Sequence, residues 1–178
     1  MNILLINHYA GSLSYGMEYR PYYLAREWTK MGHKVTIVAA SYSHVRRKNP
    51  YIEKEIQEEI IEGIRYIWIK TPSYQGNGIK RAINMFSFIR KLIKNSRKFA
   101  KVMKPNLVIA SSTYPLDIYS AYIISCLSRA KLVFEVHDLW PLTPIELGKM
   151  PKWHPFIVIM QIAEDFAYKK ADKVVSIL

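Results

Sequence analysis

The sequence is short of most residues from which small scaffolds and metal centres are built. Its one cysteine, Cys126, excludes an internal disulfide framework and a cysteine-rich zinc site, and fits a reducing compartment. Its seven glycines form neither a G-x-G-x-x-G fingerprint nor a Walker A loop. No set of His, Asp and Glu has metal-ligand spacing, so neither a resident metal nor a cofactor is expected. Ser111-Ser112-Thr113 lacks the flanking glycines of a nucleophile elbow. Long apolar runs are missing too. The run at 156–162 falls far short of the roughly 20 residues a membrane-spanning helix needs. The apolar opening, 2–8, has no basic leader and reads as a strand.

Acidic residues are the other shortage. Fourteen Asp and Glu face 26 Lys and Arg, for a net charge of +12. From Lys80 to Lys104 there are nine basic residues and no acid: Lys80, Arg81, Arg90, Lys91, Lys94, Arg97, Lys98, Lys101 and Lys104. A solvated helix face normally pairs such cations with acids at i+4, and none is present. A nucleic-acid surface would be expected to bring a recognisable motif, and none is found, so nucleic acid is not an expected partner. The stretch also interleaves Ile83, Met85, Phe86, Phe88, Ile89, Leu92, Ile93 and Phe99 with its cations, as an interfacial helix does. An anionic membrane surface is therefore the expected partner, met by Arg90, Lys91, Lys94, Arg97, Lys98 and Lys101. The expected location is cytoplasmic, peripheral on the inner face of the cell membrane.

What is present in quantity is apolar: half of the 178 residues, enough for one compact domain. Short apolar runs at 2–8, 35–40, 63–69, 107–110, 132–136 and 173–177 read as buried strands. Helical spacing covers 17–31, 81–103, 115–128 and 154–170, and Gly32 stops the first of these. Residues 41–57 are polar and basic, and are expected to form a long loop. Strands alternating with helices predict an α/β fold: one Rossmann-like, doubly wound parallel sheet spanning 1–178.

Ligands of such sheets bind beyond the carboxyl ends of the strands. Three segments land there: 8–16, 111–115 and 137–144. In the first, Gly11, Ser12 and Gly16 belong either to a flexible turn or to a phosphate or sugar site. In the third, Glu135-Val136-His137-Asp138-Leu139-Trp140-Pro141 sets an imidazole beside carboxylates at a strand end. His137 could orient a hydroxyl or transfer a proton there. The plainer alternative is a structural histidine with Asp138 as a turn residue.

These residues also resemble a known family. Tyr15-Gly16-Met17-Glu18 through Leu24-Ala25-Arg26-Glu27 to Gly32-His33-Lys34-Val35-Thr36-Ile37 is similar to the opening of family 4 glycosyltransferases. The segment from Glu135 to Pro141 resembles the E-V-[RH]-D-L-W-P stretch of bacterial members that build capsule, colanic acid and O-antigen repeats. Ala171-Asp172-Lys173-Val174-Val175-Ser176 is similar to the strand that closes their N-terminal domain.

The resemblance implies the N-terminal half of a two-domain GT-B fold, with the donor-binding domain outside these residues and no turnover by this domain alone. It implies transfer from a nucleotide sugar, with retention and without a metal, to a sugar on a polyprenyl diphosphate. His137 would then be the catalytic-site histidine, polarising or orienting rather than acting as a base. Gly11, Ser12 and Gly16 would approach the donor phosphates. Tyr15 stands where the family has a first glycine. Glu18, Asp138, Arg46, Arg47, Lys80 and Arg81 would be acceptor-side candidates. The alternatives are a membrane-docking subunit of a split glycosyltransferase and a non-catalytic module for anionic lipid or nucleic acid.

Overall fold

The computed structural model describes residues 1–76 and 78–178. Strands β1 (Asn2–Ile6), β2 (Lys34–Ala40), β4 (Ile64–Ile69), β5 (Leu107–Ala110), β6 (Lys131–Val136) and β7 (Lys173–Ser176) run parallel, and β3 (Ile56–Ile61) runs antiparallel on β4. The seven-stranded order is β3-β4-β2-β1-β5-β6-β7. Winding goes outward from β1 to β4 on one side, and from β5 to β7 on the other. The doubly wound α/β, Rossmann-like expectation is met, and the switch in direction falls between β1 and β5.

The continuous apolar strands arise because each buries both faces. Alternate residues of β1 belong to different cores. Ile3 and Leu5 join Tyr22 and Ala25 of α1 (Arg20–Lys30). Leu4 and Ile6 join Phe88 and Leu92 of α2 (Ile79–Met103), with Ile118 and Ala121 of α3 (Asp117–Ser128). Helix α5 (Pro155–Lys170) completes the second layer with Met160, Ala163 and Ala167, and the short helix α4 (Leu142–Glu146) precedes it without burying a side chain. Gly32 adopts φ of 84° just past α1, the conformation for which a glycine was expected there.

Two boundaries differ from the sequence pattern. The expected loop at 41–57 runs only to β3, whose residues Ile56-Gln57-Glu58-Glu59-Ile60-Ile61 lack an apolar run. β3 is an edge strand, and Glu58 and Glu59 are what an edge facing water tolerates. Glu62 and Gly63, both at positive φ, turn it back into β4. Helix α1 begins at Arg20 rather than 17, because residues 10–19 first fold into a tight loop of their own.

Phe88 is fully buried against β1 while Ile83, on the same helix, is exposed. Phe88→Ala is expected to cost about 3–5 kcal/mol of stability, and Ile83→Ala well under 1 kcal/mol. Denaturant unfolding of the two variants checks this.

Candidate functional site

The site is built where β1, β5 and β6 end, on both sides of the switch point. Asn7 follows β1 and is fully buried. Its amide donates to the carbonyl of Ser111, and its Oδ1 accepts the Tyr9 N–H at 3.0 Å. The His8 N–H donates to Ser112 Oγ at 3.0 Å. These bonds lock the ends of β1 and β5 together and aim Ser111 at β6.

Glu135, the penultimate residue of β6, is 4% exposed and collects the rest. Its Oε2 accepts from Ser111 Oγ at 2.6 Å and from His137 Nε2 at 2.9 Å. Its Oε1 accepts from Arg20 Nε at 3.0 Å and from the Arg20 terminal nitrogen at 2.5 Å. Burial would raise the carboxyl's pKa. Hydrogen bonds from His137, Ser111 and Arg20 outweigh it and hold the group at about 2. Glu135 is therefore a carboxylate at every ordinary pH.

This arrangement fixes which ring nitrogen of His137 faces the carboxylate. Its Nε2 carries the proton, donated to Glu135 and lying 3.1 Å from Ser111 Oγ. The imidazole is 5% exposed, with Nε2 turned inward to Glu135. With Nε2 committed, Nδ1 is the ring atom left for a hydrogen bond to a ligand. Nearby, Asp117 is fully buried and accepts the Ser112 N–H at 2.9 Å. Burial pushes its carboxyl up to about 7.

The first loop lies over this network. Gly11 N–H donates to Glu18 O at 2.8 Å, while Ser12 N–H and Gly16 O bond at 3.1 Å and Gly16 N–H and Ser12 O at 2.8 Å. A Cβ on Gly11 would sit 1.9 Å from Gly16 O, and Gly16 has φ of 96°. Both glycines are thus required by the loop's own backbone, whose N–H groups point inward at those three residues. Glu18 accepts from the Arg20 N–H at 3.3 Å, so the loop is continuous with the Arg20–Glu135 pair.

Other residues singled out in the sequence lie differently. Arg46 is not open to a phosphate: it is 6% exposed beneath the first loop. Its guanidinium donates to the carbonyls of Ala10, Ala40 and His8 at 2.9, 2.8 and 3.3 Å, and lies over the Trp68 ring. Burial pulls its pKa down to about 9. Arg47 beside it is exposed. Asp138 accepts from Thr143 Oγ1 at 2.7 Å and serves the turn into α4. Lys80 and Arg81 lie at the start of α2, where Arg81 donates to the Tyr9 hydroxyl at 3.2 and 3.1 Å. His8 pairs with the Tyr114 hydroxyl at 2.6 Å; burial, then Arg46, keep the imidazole well below its ordinary range. Arg20, Asn7 and Asp117 were not singled out, and Ser111 was named only as part of the 111–115 segment. Only Ser111 carried a signal, its place at the end of an apolar run. Among the described residues no group of three or more His, Cys, Asp or Glu converges as a metal site would.

A Rossmann-like sheet whose ionised cluster sits at the switch point defines a ligand-handling α/β domain. The family model described as Glycosyltransferase Family 4 matches residues 15–177, and the chain belongs to that family. Its function is of glycosyltransferase type. No curated protein matches the sequence significantly. Among solved structures, the C-terminal domain of a hydrogenase from Pyrococcus furiosus is 18% identical, with a TM-score of 0.48, over 74% of this chain and 88% of that one. The Sure protein from Aquifex aeolicus is 15% identical, with a TM-score of 0.37, over 99% of this chain and 66% of that one.

Glu135 has its pKa lowered on folding, so its contribution is present above the unfolded value and lost as pH falls through the folded one. Wild type is expected to exceed Glu135→Gln by about 3 kcal/mol near neutral pH, the gap shrinking between about pH 5 and pH 2. Urea unfolding of both proteins across that range measures it.

Proposed function

We propose that these residues form the acceptor-side, N-terminal domain of a retaining two-domain GT-B glycosyltransferase of bacterial surface-polysaccharide synthesis. It transfers sugar from a nucleotide-sugar donor, bound mainly by a second domain, to a glycan on a polyprenyl diphosphate at the inner face of the cell membrane. The reading is supported by the family and by one observation above all, the outer face of α2.

Half of α2 is buried and half is not. Met85, Phe88, Ile89, Leu92 and Phe99 go to the core. The outer stripe begins apolar, with Ile79, Ile83 and Phe86, and continues basic, with Arg90, Lys94, Arg97, Lys98 and Lys101. Among the described residues, none of these five cations has a carboxylate within ion-pair distance. Lys91 differs from them: it bonds Glu55 at 2.5 Å and the Lys70 carbonyl at 2.7 Å, so it faces the protein. The helix is ~37 Å long. It could lie along a leaflet with its apolar start among the acyl chains and its cations on the phosphates. No described helix is long and apolar enough to cross a membrane.

In the reaction, Glu135 holds the Nε2–H tautomer of His137, whose Nδ1 accepts a hydroxyl and orients the transferred sugar. Arg20 keeps Glu135 ionised and ties it to the first loop. That loop meets the donor phosphates once its internal hydrogen bonds open. No protein nucleophile is invoked, because the leaving phosphate takes the acceptor proton on the same face.

Cosedimentation with liposomes tests the membrane reading. Binding is expected to anionic but not to neutral vesicles, and to weaken with salt. Reversing Arg90, Lys94, Arg97, Lys98 and Lys101 to Glu should abolish it, whereas Lys91→Glu alone should reduce it little. Equal binding of wild type and the five-fold variant would refute it.

A further inference from the structure

Tyr15 departs from the family's opening, and its side chain goes to the edge of the sheet instead of to the network around Glu135. Period-two alternation puts Tyr66 and Trp68 on one face of β4, and Glu59 of β3 pairs opposite Tyr66. The Tyr15 hydroxyl donates in a forked bond to both carboxylate oxygens of Glu59, at 2.9 and 3.0 Å. Burial, then Glu59, push the phenol up to about 12, so it keeps the proton it donates. Glu59 Oε2 also accepts from Trp68 Nε1 at 2.7 Å, and the Tyr15 and Trp68 rings meet edge-on with centroids 5.4 Å apart. Trp68 stacks in turn on Tyr66, whose hydroxyl donates to the Gly11 carbonyl at 2.8 Å. The β3–β4 hairpin therefore carries the first loop at two points.

The two points differ in how firmly they hold. At the root of the loop, residues 8–11, the buried side chains of Arg46 and Tyr66 take the carbonyls of His8, Ala10 and Gly11. At its tip, residues 12–16, Leu13 and Ser14 are exposed. The tip is held by backbone contacts, Gly16 bridging to Arg46 and the Lys48 N–H donating to the Tyr15 carbonyl at 3.1 Å, and by the Tyr15–Glu59 bond. Tyr15 and Glu59 are both partly exposed, and among the described residues no other side-chain hydrogen bond runs from the tip to the sheet. In this closed form the N–H groups of the loop are spent on its own carbonyls: Gly11 on Glu18, Ser12 on Gly16, and Tyr15 and Gly16 on Ser12.

We infer that Tyr15 is a positioning residue: through Glu59 it latches the tip of the first loop shut, and a phosphate-bearing ligand meets the loop's N–H groups only after that bond breaks. The proposal rests on the reading of this loop as a phosphate site, and adds what holds it closed. A ligand that binds only the open form is weakened in proportion to how rarely that form is populated. One hydrogen bond to a carboxylate is strong enough to favour the closed form, and at a wet site water can replace it. Opening leaves the root in place, because the bonds of Arg46 and Tyr66 are buried. Gly11 and Gly16 flank the tip and give its backbone the freedom to turn.

The test is amide hydrogen exchange of this chain, read residue by residue by NMR in wild type, Tyr15→Phe and Tyr22→Phe. Tyr22 of α1 donates to Glu62 at the turn of the same hairpin, so it controls for the loss of a tyrosine–glutamate bond as such. Tyr15→Phe is expected to speed exchange at Ser12, Gly16 and Lys48 at least about tenfold, leaving Leu5 and Ile37 in the sheet unchanged. Tyr22→Phe should leave the loop rates as they are. Glu59→Gln should act in the same direction as Tyr15→Phe, and the double variant should add little to either. Inorganic pyrophosphate is then titrated and followed at the loop amides. Tyr15→Phe is expected to bind it about threefold or more tightly than wild type, the reverse of what damage to the site would do. Loop exchange unchanged in Tyr15→Phe, or accelerated equally throughout the sheet, overturns the latch. Faster loop exchange with pyrophosphate bound no more tightly overturns its link to ligand binding. Pyrophosphate that perturbs no loop amide in either protein overturns instead the loop as a phosphate site, whatever the exchange rates.

Discussion

A carboxylate buried at the end of a strand has to be neutralised and hydrogen-bonded on every side, and much of this site follows from meeting that requirement. Glu135 meets it with Arg20 from α1, Ser111 from the end of β5 and His137 from just beyond β6. Each partner comes from a different element, so the carboxylate works as a joint between the two halves of the wound sheet. Removing Arg20 would leave the charge buried without compensation, and removing Ser111 or His137 would leave a buried carboxylate oxygen short of a donor; both are costly in a core. The same joint sets the tautomer of His137, because a carboxylate facing Nε2 draws the ring proton to that nitrogen.

The first loop depends on a second buried charge of opposite sign. Arg46 reaches from the 41–55 segment into the space under residues 8–10 and donates only to neutral acceptors. Among the described residues no carboxylate pairs with it, and its charge stays buried beneath the first loop. A buried cation bound to carbonyls orders the loop that folds over it. The glycines of that loop serve geometry: Gly11 admits the crossing backbone of Gly16 and Met17, and Gly16 takes a positive φ that a side chain would strain.

Helix α2 shows how one element can belong to the core and to a surface at once. Its buried stripe carries Phe88 and Leu92 into the layer over β1, so its position is settled by packing. Its outer stripe is then released for other use, and divides along its length into an apolar and a basic half.

Most of the architecture was legible in the residue order. Strands buried on both faces read as unbroken apolar runs, so six of the strands stood out, as did the long helices between them. Their alternation sufficed for a doubly wound sheet with its site at the carboxyl edge. β3 was hidden because an edge strand needs no apolar run, and its Glu58 and Glu59 look like loop. The motif around His137 was visible, but the inward turn of its ring was not, since that depends on Ser111 and Arg20, 26 and 117 positions away in the chain. Likewise the sequence alone determined that positive charge would concentrate between Lys80 and Lys104. Only the tertiary structure decided which cations were already spoken for: Arg46 is sunk among carbonyls, and Lys91 is paired with Glu55. Local patterns record what a residue is and whom it follows, whereas burial and pairing depend on segments that meet only after the chain has folded.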